Sequence, residues 1–410
     1  MDVTDRDSQA VYDLLKENFF DARTHLIYDL RTTTEKDGAI RDLPTPKEIA
    51  RHIPNPNGWH TGMEDSMLNG GYLFDALLLR AGRTGEPWAL DFMREVLEGI
   101  YLCSTISSDK GLLARSVSPV DGKSYYIDSS RDQYTHVVWS LTSFFDSGFA
   151  TEDDRQRIAS ILASFSDRAF ANATPEHDFN LLRADGGRGM VMKIWGSVAG
   201  HECLRLPMIY LAAFHVTGDE THLTRYKAVR DKGIEMTSSM PQKQSRTFIY
   251  TQSQLSARLL YKYETDETYR GKYLDILRFT CASLPTDTAP KVMNDIESGH
   301  DYNVLCPPWR TLPMTYRLGA PLDGVPYFFP ERPAAFEEGV LWAINNLPDC
   351  ILTRFLCPGM PQRDDEAAAL DALLCAIDFT RHGSASPVRL LCAYEALQYE
   401  NISNSYGERL

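Results

Sequence analysis

The feature that most constrains this fold is an alternation between two kinds of helical segment. One kind is amphipathic and laced with charge, at residues 8–30, 86–103, 151–171, 219–238, 266–282 and 332–346. In the second of these, Phe92, Met93, Val96, Leu97 and Ile100 keep one helical face apolar, while Arg94, Glu95 and Glu98 face outward. The other kind is apolar nearly all round, at 62–79, 133–145, 203–214, 248–263 and 309–318. A helix without a polar face has to be buried on every side. The pattern therefore predicts inner helices sheathed by outer ones.

The connections sharpen that picture. Short acidic turns join members of the two sets: Arg83-Thr84-Gly85-Glu86, Ala150-Thr151-Glu152-Asp153, Thr217-Gly218-Asp219-Glu220 and Thr265-Asp266-Glu267. Thr and Asp accept hydrogen bonds from the free N–H groups of a helix start, so each turn both ends one helix and caps the next. The long connections, 31–59 and 104–131, fall at the opposite ends. In the second, Val120-Asp121-Gly122-Lys123 reads as the turn of a small β-hairpin. Short turns at one end and long loops at the other predict an all-α (α/α)6 toroid of helical hairpins, with the inner N-termini meeting at one mouth. Helical segments at 366–381 and 387–399 leave six or seven hairpins open. An α-solenoid fits less well, because the hairpins differ in length and share no residue-level repeat. No linker or low-complexity stretch divides the chain, and residues 1–410 read as one domain.

Charge and cysteine usage narrow the function. A formal net charge of −14 argues against nucleic acid, which requires clustered Lys and Arg. The first residues lack the basic and apolar regions of a signal peptide, and no run of apolar residues is long enough for a membrane span. The eight cysteines are scattered without a CxxC pair and read as buried thiols. A cytoplasmic protein, monomeric or homodimeric and away from membranes, is the expectation.

Aligning the inner-helix starts gathers four polar clusters. Residues 55–65 run Asn-Pro-Asn-Gly-Trp-His-Thr-Gly-Met-Glu-Asp, and residues 129–136 run Ser-Ser-Arg-Asp-Gln-Tyr-Thr-His. Gly200-His201-Glu202 precedes the third inner helix, and Gly299-His300-Asp301-Tyr302-Asn303 precedes Pro307-Pro308-Trp309-Arg310. Asp132 and His136, four apart, share a helix face, where the carboxylate orients the imidazole or merely satisfies a buried helix end. Glu64 and Asp65 point about 100° apart on a helix, so only one of them faces a given substrate atom. Asp132 with Glu64 or Asp65 are the candidate catalytic carboxylates, with Glu202 and Asp301 in reserve and His136 and His201 to tune them. Trp59, Trp195, Trp309 and Tyr302 offer rings for sugar faces, with His60 and Tyr134 beside them, though core filling is as good a reading for each tryptophan. Arg115, Arg131, Arg188, Lys193 and Arg310 suit a carboxylate ligand, while the simpler reading of any one is an ion pair. The glycine-rich loop 184–190 suggests a mobile wall or lid. GxSxG, HExxH and Cys/His zinc spacings are all missing, and no metal or cofactor is expected.

On these motifs the chain resembles the six-hairpin (α/α) toroid glycosidases and polysaccharide lyases. The runs at 55–65 and 129–134 are similar to those of bacterial enzymes grouped with the β-glucuronidases of glycoside hydrolase family 154. The resemblance implies an exo-acting hydrolase that removes a terminal uronic acid from an oligosaccharide. Two other readings stay open: a lyase acting by β-elimination on a uronate, with Tyr134, Tyr302, His136 or His201 as base, and a carbohydrate-binding toroid without activity.

Overall fold

In the computed structural model, which describes residues 5–241, 246–316 and 322–406, the alternating segments form an all-α fold. Helix α1 (Asp5–Phe19) leads through paired strands β1 (Phe20–Asp21) and β2 (Leu26–Ile27) into a long loop with the one-turn α2 (Pro46–Ile49). Four hairpins follow: α3 (Ser66–Thr84) with α4 (Pro87–Thr105), and α5 (Arg131–Asp146) with α6 (Glu152–Asn172). The next two are α7 (Arg205–Thr217) with α8 (Glu220–Ser238), and α9 (Phe248–Tyr263) with α10 (Glu267–Ala282). After α11 (Thr288–Glu297), strands β3 (Met314–Tyr316) and β4 (Phe328–Pro330) pair antiparallel. Helices α12 (Leu341–Phe355), α13 (Asp364–Ala376) and α14 (Val388–Tyr406) complete the described chain.

The turns work as their residues dictate. The side chains of Thr151, Asp219 and Asp266 accept from the first-turn N–H groups of α6, α8 and α10. Gly85 and Gly218 end α3 and α7 in the left-handed region, at φ 67° and 69°, where a side chain would be strained.

The apolar helices pack against one another in a closed circuit, α3 to α5 to α7 to α9 to α12 to α14 and back to α3, with α5 also touching α9 across it. Nearly all of α3 is buried, while α4, α8 and α10 lie outside their partners. One continuous apolar core runs from Val11 to Ala396. Helices α3, α5, α9 and α14 run the same way: their first turns converge on one polar cluster, and their last turns line a common cavity.

Several expectations are corrected. The 8–30 segment is helical only to Phe19, where Asp21 accepts from the N–H groups of Arg23 and Thr24 and folds the chain back. The turn at 120–123 forms, with Gly122 N–H reaching Ser118, but its flanks are not strands. Ala114 and Leu113 instead donate to the Cys103 carbonyl and the Tyr134 hydroxyl, which removes them from a hairpin ladder. The helix expected at 309–318 is a single tight turn at Trp309–Thr311 followed by β3; Pro313 ends the helical path, and residues 317 and 318 lie outside the described residues. Among the described residues, no helix is long and apolar enough to cross a membrane.

Candidate functional site

The polar cluster is built on the first turn of α3. Asp29, just beyond β2, is almost fully buried, and one of its oxygens accepts from both the Glu64 and Asp65 N–H groups at 2.8 Å. Its other oxygen accepts from Asn69 at 2.9 Å. Burial, then the charges of Asp65 and Glu64, push the Asp29 carboxyl well above its ordinary value. Its task is to hold the two acidic residues where they stand.

Glu64 and Asp65 then diverge. The Glu64 carboxylate is buried, accepting from Arg332 at 2.9 Å and from the His60 N–H at 2.8 Å. Burial would raise its pKa, but Arg332 and His60 hold it below the usual range. Asp65 keeps 33% of its side chain open although protein surrounds it densely. It accepts from Arg115 at 2.9 Å and from Gln133 at 2.8 Å. Burial and the nearby charges of Glu64 and Asp132 raise its pKa against the pull of Arg115 and Arg389. Gln133 also accepts the Leu68 N–H at 2.7 Å, so it ties α5 to α3 at this point.

Asp132 is the second open carboxylate, with 34% of its side chain exposed. It lies in the first turn of α5, whose start is capped by Ser130. It pairs with Arg205, a fully buried guanidinium at the start of α7 that also reaches Gln252 on α9. Burial opposes ionisation of Asp132, but Arg205 and then Arg131 prevail and lower its pKa. Asp65 and Asp132 thus share one floor and hold their protons with opposite strength.

Beside this pair two imidazoles are held below their ordinary pKa by burial. His201 is driven down to about 4 by burial and lies 3.7 Å from Glu202, which itself pairs with Arg131. His136 does not pair with Asp132. Its ring packs on Tyr72, with centroids 4.4 Å apart, neither nitrogen has a partner, and burial brings it down to about 3. Arg205 draws the Asp132 carboxylate away from it.

Other expected ligands are already occupied. The Tyr134 hydroxyl is buried between the Leu113 N–H and the Gly111 carbonyl, which makes it a strut of the 104–131 loop. Trp309 is buried and donates to the Asp42 carbonyl, while Arg310 grips Glu48 at 2.6 Å; both fasten the 31–59 loop. Arg188 makes a two-pronged pair with Asp323, and Lys193 reaches Asp178 at 2.6 Å. The 184–190 loop is fastened rather than loose, since Arg183 bonds Asp185 and the Arg188 carbonyl, and Asp128 accepts the Met190 N–H. Tyr302 is buried against His300, and Asp301 is exposed and accepts the Asn303 N–H. Trp195 packs on the core with part of its surface open. Trp59 stays beside the cluster, with the Arg115 guanidinium 5.6 Å from its ring and Phe329 against it. His60 Nδ1 meets the Pro330 carbonyl.

Four residues of the cluster escape a reading of the sequence: Asp29, Arg205, Arg332 and Arg389. Arg389, in the first turn of α14, lies with its guanidinium 5.1 Å from the Tyr72 ring, and its charge is felt by Asp65 and Asp349. Among the described residues nothing accepts a hydrogen bond from its guanidinium. No three His, Cys, Asp or Glu side chains among the described residues are placed to hold a metal ion. No protein-family model matches this chain, and no curated protein matches it in sequence.

Proposed function

We propose that the chain is an exo-acting glycoside hydrolase that removes a terminal uronic acid, as its resemblance to family 154 implies. The observation that carries the reading is the pair of open carboxylates, Asp65 and Asp132, tuned in opposite directions on one floor. Asp65 retains its proton to higher pH and gives it to the glycosidic oxygen as the bond to the anomeric carbon breaks. Asp132 stays ionised, faces the positive charge that develops on the sugar, and accepts the proton of the attacking water. Arg115 and Gln133 aim Asp65, Arg205 aims Asp132, and the unengaged Arg389 takes the substrate carboxylate. Trp59 supplies a ring beside the floor. The reaction so written uses no metal or cofactor, and the closed circuit of inner helices is compatible with the toroid that the resemblance implies.

His201 favours a second reading. A neutral, partly open imidazole is a competent base for abstracting the proton next to a uronate carboxylate in β-elimination. A panel of chromogenic glucuronide, galacturonide and neutral glycosides decides between them. Release of the chromophore from a uronide without an unsaturated sugar product is the expected result, and Asp132→Asn should abolish it. An unsaturated product would select the lyase. Full activity in Asp132→Asn would overturn the hydrolase assignment, and binding of an intact oligosaccharide without any product would mark a binding protein.

A further inference from the structure

A cavity of about 350 Å³ lies between α3, α5, α9, α12 and α14, and neither carboxylate of the pair lines it. Pockets of this size accommodate small organic ligands. Its wall is mostly apolar, with Leu78, Leu255 and Leu352 among the rings of Trp139, Phe149 and Phe355. Two polar groups in this wall are unsatisfied. One Asp75 oxygen has no hydrogen-bond partner, and both nitrogens of the fully buried His136 lack one. These three atoms can therefore receive a hydrogen-bonding group that enters the cavity.

We propose that this cavity binds a small organic ammonium ion with an apolar body, its charged head against Asp75 and its body among the aromatic rings. An ammonium group donates several hydrogen bonds, which suits a carboxylate oxygen and a neutral imidazole nitrogen together. Aromatic faces attract such a cation, most strongly where water is excluded. Lys262 does not fill this role, because it pairs with Asp146 at 3.0 Å and keeps 35% of its side chain open at the outer end. Asp146 is further engaged by His215 and Tyr263, and Arg258 and Glu400 have interactions of their own. Burial pushes Asp75 up to about 8, against the help of Ser140 and Trp139, so near neutral pH it carries a proton. Binding the cation ionises Asp75, and that proton leaves to solvent. The site is independent of the hydrolase reading, since Tyr72 and His136 stand between it and the carboxylate floor.

Calorimetric titration with phenethylammonium chloride, against 2-phenylethanol as the neutral analogue, tests this near neutral pH. The ammonium is expected to bind at least about tenfold tighter than the alcohol, and Asp75→Asn should remove that preference while leaving alcohol binding unchanged. Release of about one proton per bound ammonium should make the heat depend on the buffer's ionisation enthalpy. That readout uses the unsubstituted protein and stands even if the variant misfolds. Equal binding of the two probes, no binding of either at millimolar concentration, or a buffer-independent heat would each overturn the proposal.

Discussion

Asp65 and Asp132 sit in equally dense surroundings, and what separates them is the partner each receives. Asp132 takes a buried guanidinium head-on, whereas Asp65 shares Arg115 with a backbone carbonyl and lies beside two other carboxylates. The sign of the pH dependence follows. Activity should rise as Asp132 loses its proton, below the ordinary carboxylate range, and fall as Asp65 loses its own, above that range. Asp65→Asn should lower kcat by about 10²–10⁴-fold on substrates with poor leaving groups, spare those whose leaving group needs no proton, and erase the alkaline limb. Steady-state kinetics across a leaving-group series measures this, and a uniform loss would remove Asp65 as the acid. Arg389→Gln should raise KM for a uronide about 10–100-fold and leave a neutral glycoside untouched. Equal effects on both substrates would show that the guanidinium does not read the carboxylate. The motifs at 55–65 and 129–136 pointed to this floor, and His201, Glu202 and Arg131 do lie there. What stayed hidden were partners brought in by the fold: a lone Asp29 or Arg389 carries no local signal, because its meaning depends on residues far away in sequence.

At the scale of elements, the helices most legible in sequence were those with both an apolar pattern and a capping turn. The segments 219–238, 248–263 and 266–282 match α8, α9 and α10 to within a residue at each end. Failures came where a local competitor intervened, such as the Asp21 turn after α1 or Pro313 beyond the turn at Trp309. The short α2 and the ten-residue α11 offered too few turns for a periodic signal. Packing between α3 and α14 is reinforced by a buried network in which Glu395 receives Arg80 at 3.3 Å and Arg83 at 2.8 Å. Glu395→Ala removes one charged acceptor from two guanidinium groups that are nearly inaccessible to water, although Arg80 keeps Glu86 at 2.6 Å. It should cost about 1–3 kcal/mol, read as a lowered denaturation midpoint, because buried donors lose a charged partner. A change within about 0.5 kcal/mol would show that the network adds nothing to stability.

For the whole molecule, the alternation of helix types gave most of the layering, except that the stretch 332–346, expected outside, runs into α12, which takes the inner place expected of 309–318. Buried histidines contribute to the response to acid. His136, His201 and His382 are held by burial at about 3, 4 and 4, below the unfolded value near 6.5. Between those limits the unfolded chain binds more protons, so stability should fall as pH drops from about 6.5 towards 4. Asp75 acts oppositely, since its raised pKa favours the folded state as pH falls below about 8. Asp29, Asp65, Asp128, Asp349 and Glu395 are raised too and act with Asp75, so the histidine contribution is read by difference: the melting temperature of a His136→Gln variant should decline less than that of the unsubstituted protein on acidification below about pH 6. Thermal denaturation of both proteins from pH 8 to 4 measures this, and parallel profiles would contradict it.

The circuit closes between α3 and α14, whose linked residues Arg80 and Glu395 stand 315 positions apart. The floor spans the same gap, with Asp65 at the start of α3 and Arg389 at the start of α14. During synthesis, both carboxylates leave the ribosome long before the arginine proposed to read their substrate. A nascent chain therefore carries its acidic pair without the matching receptor until α14 arrives.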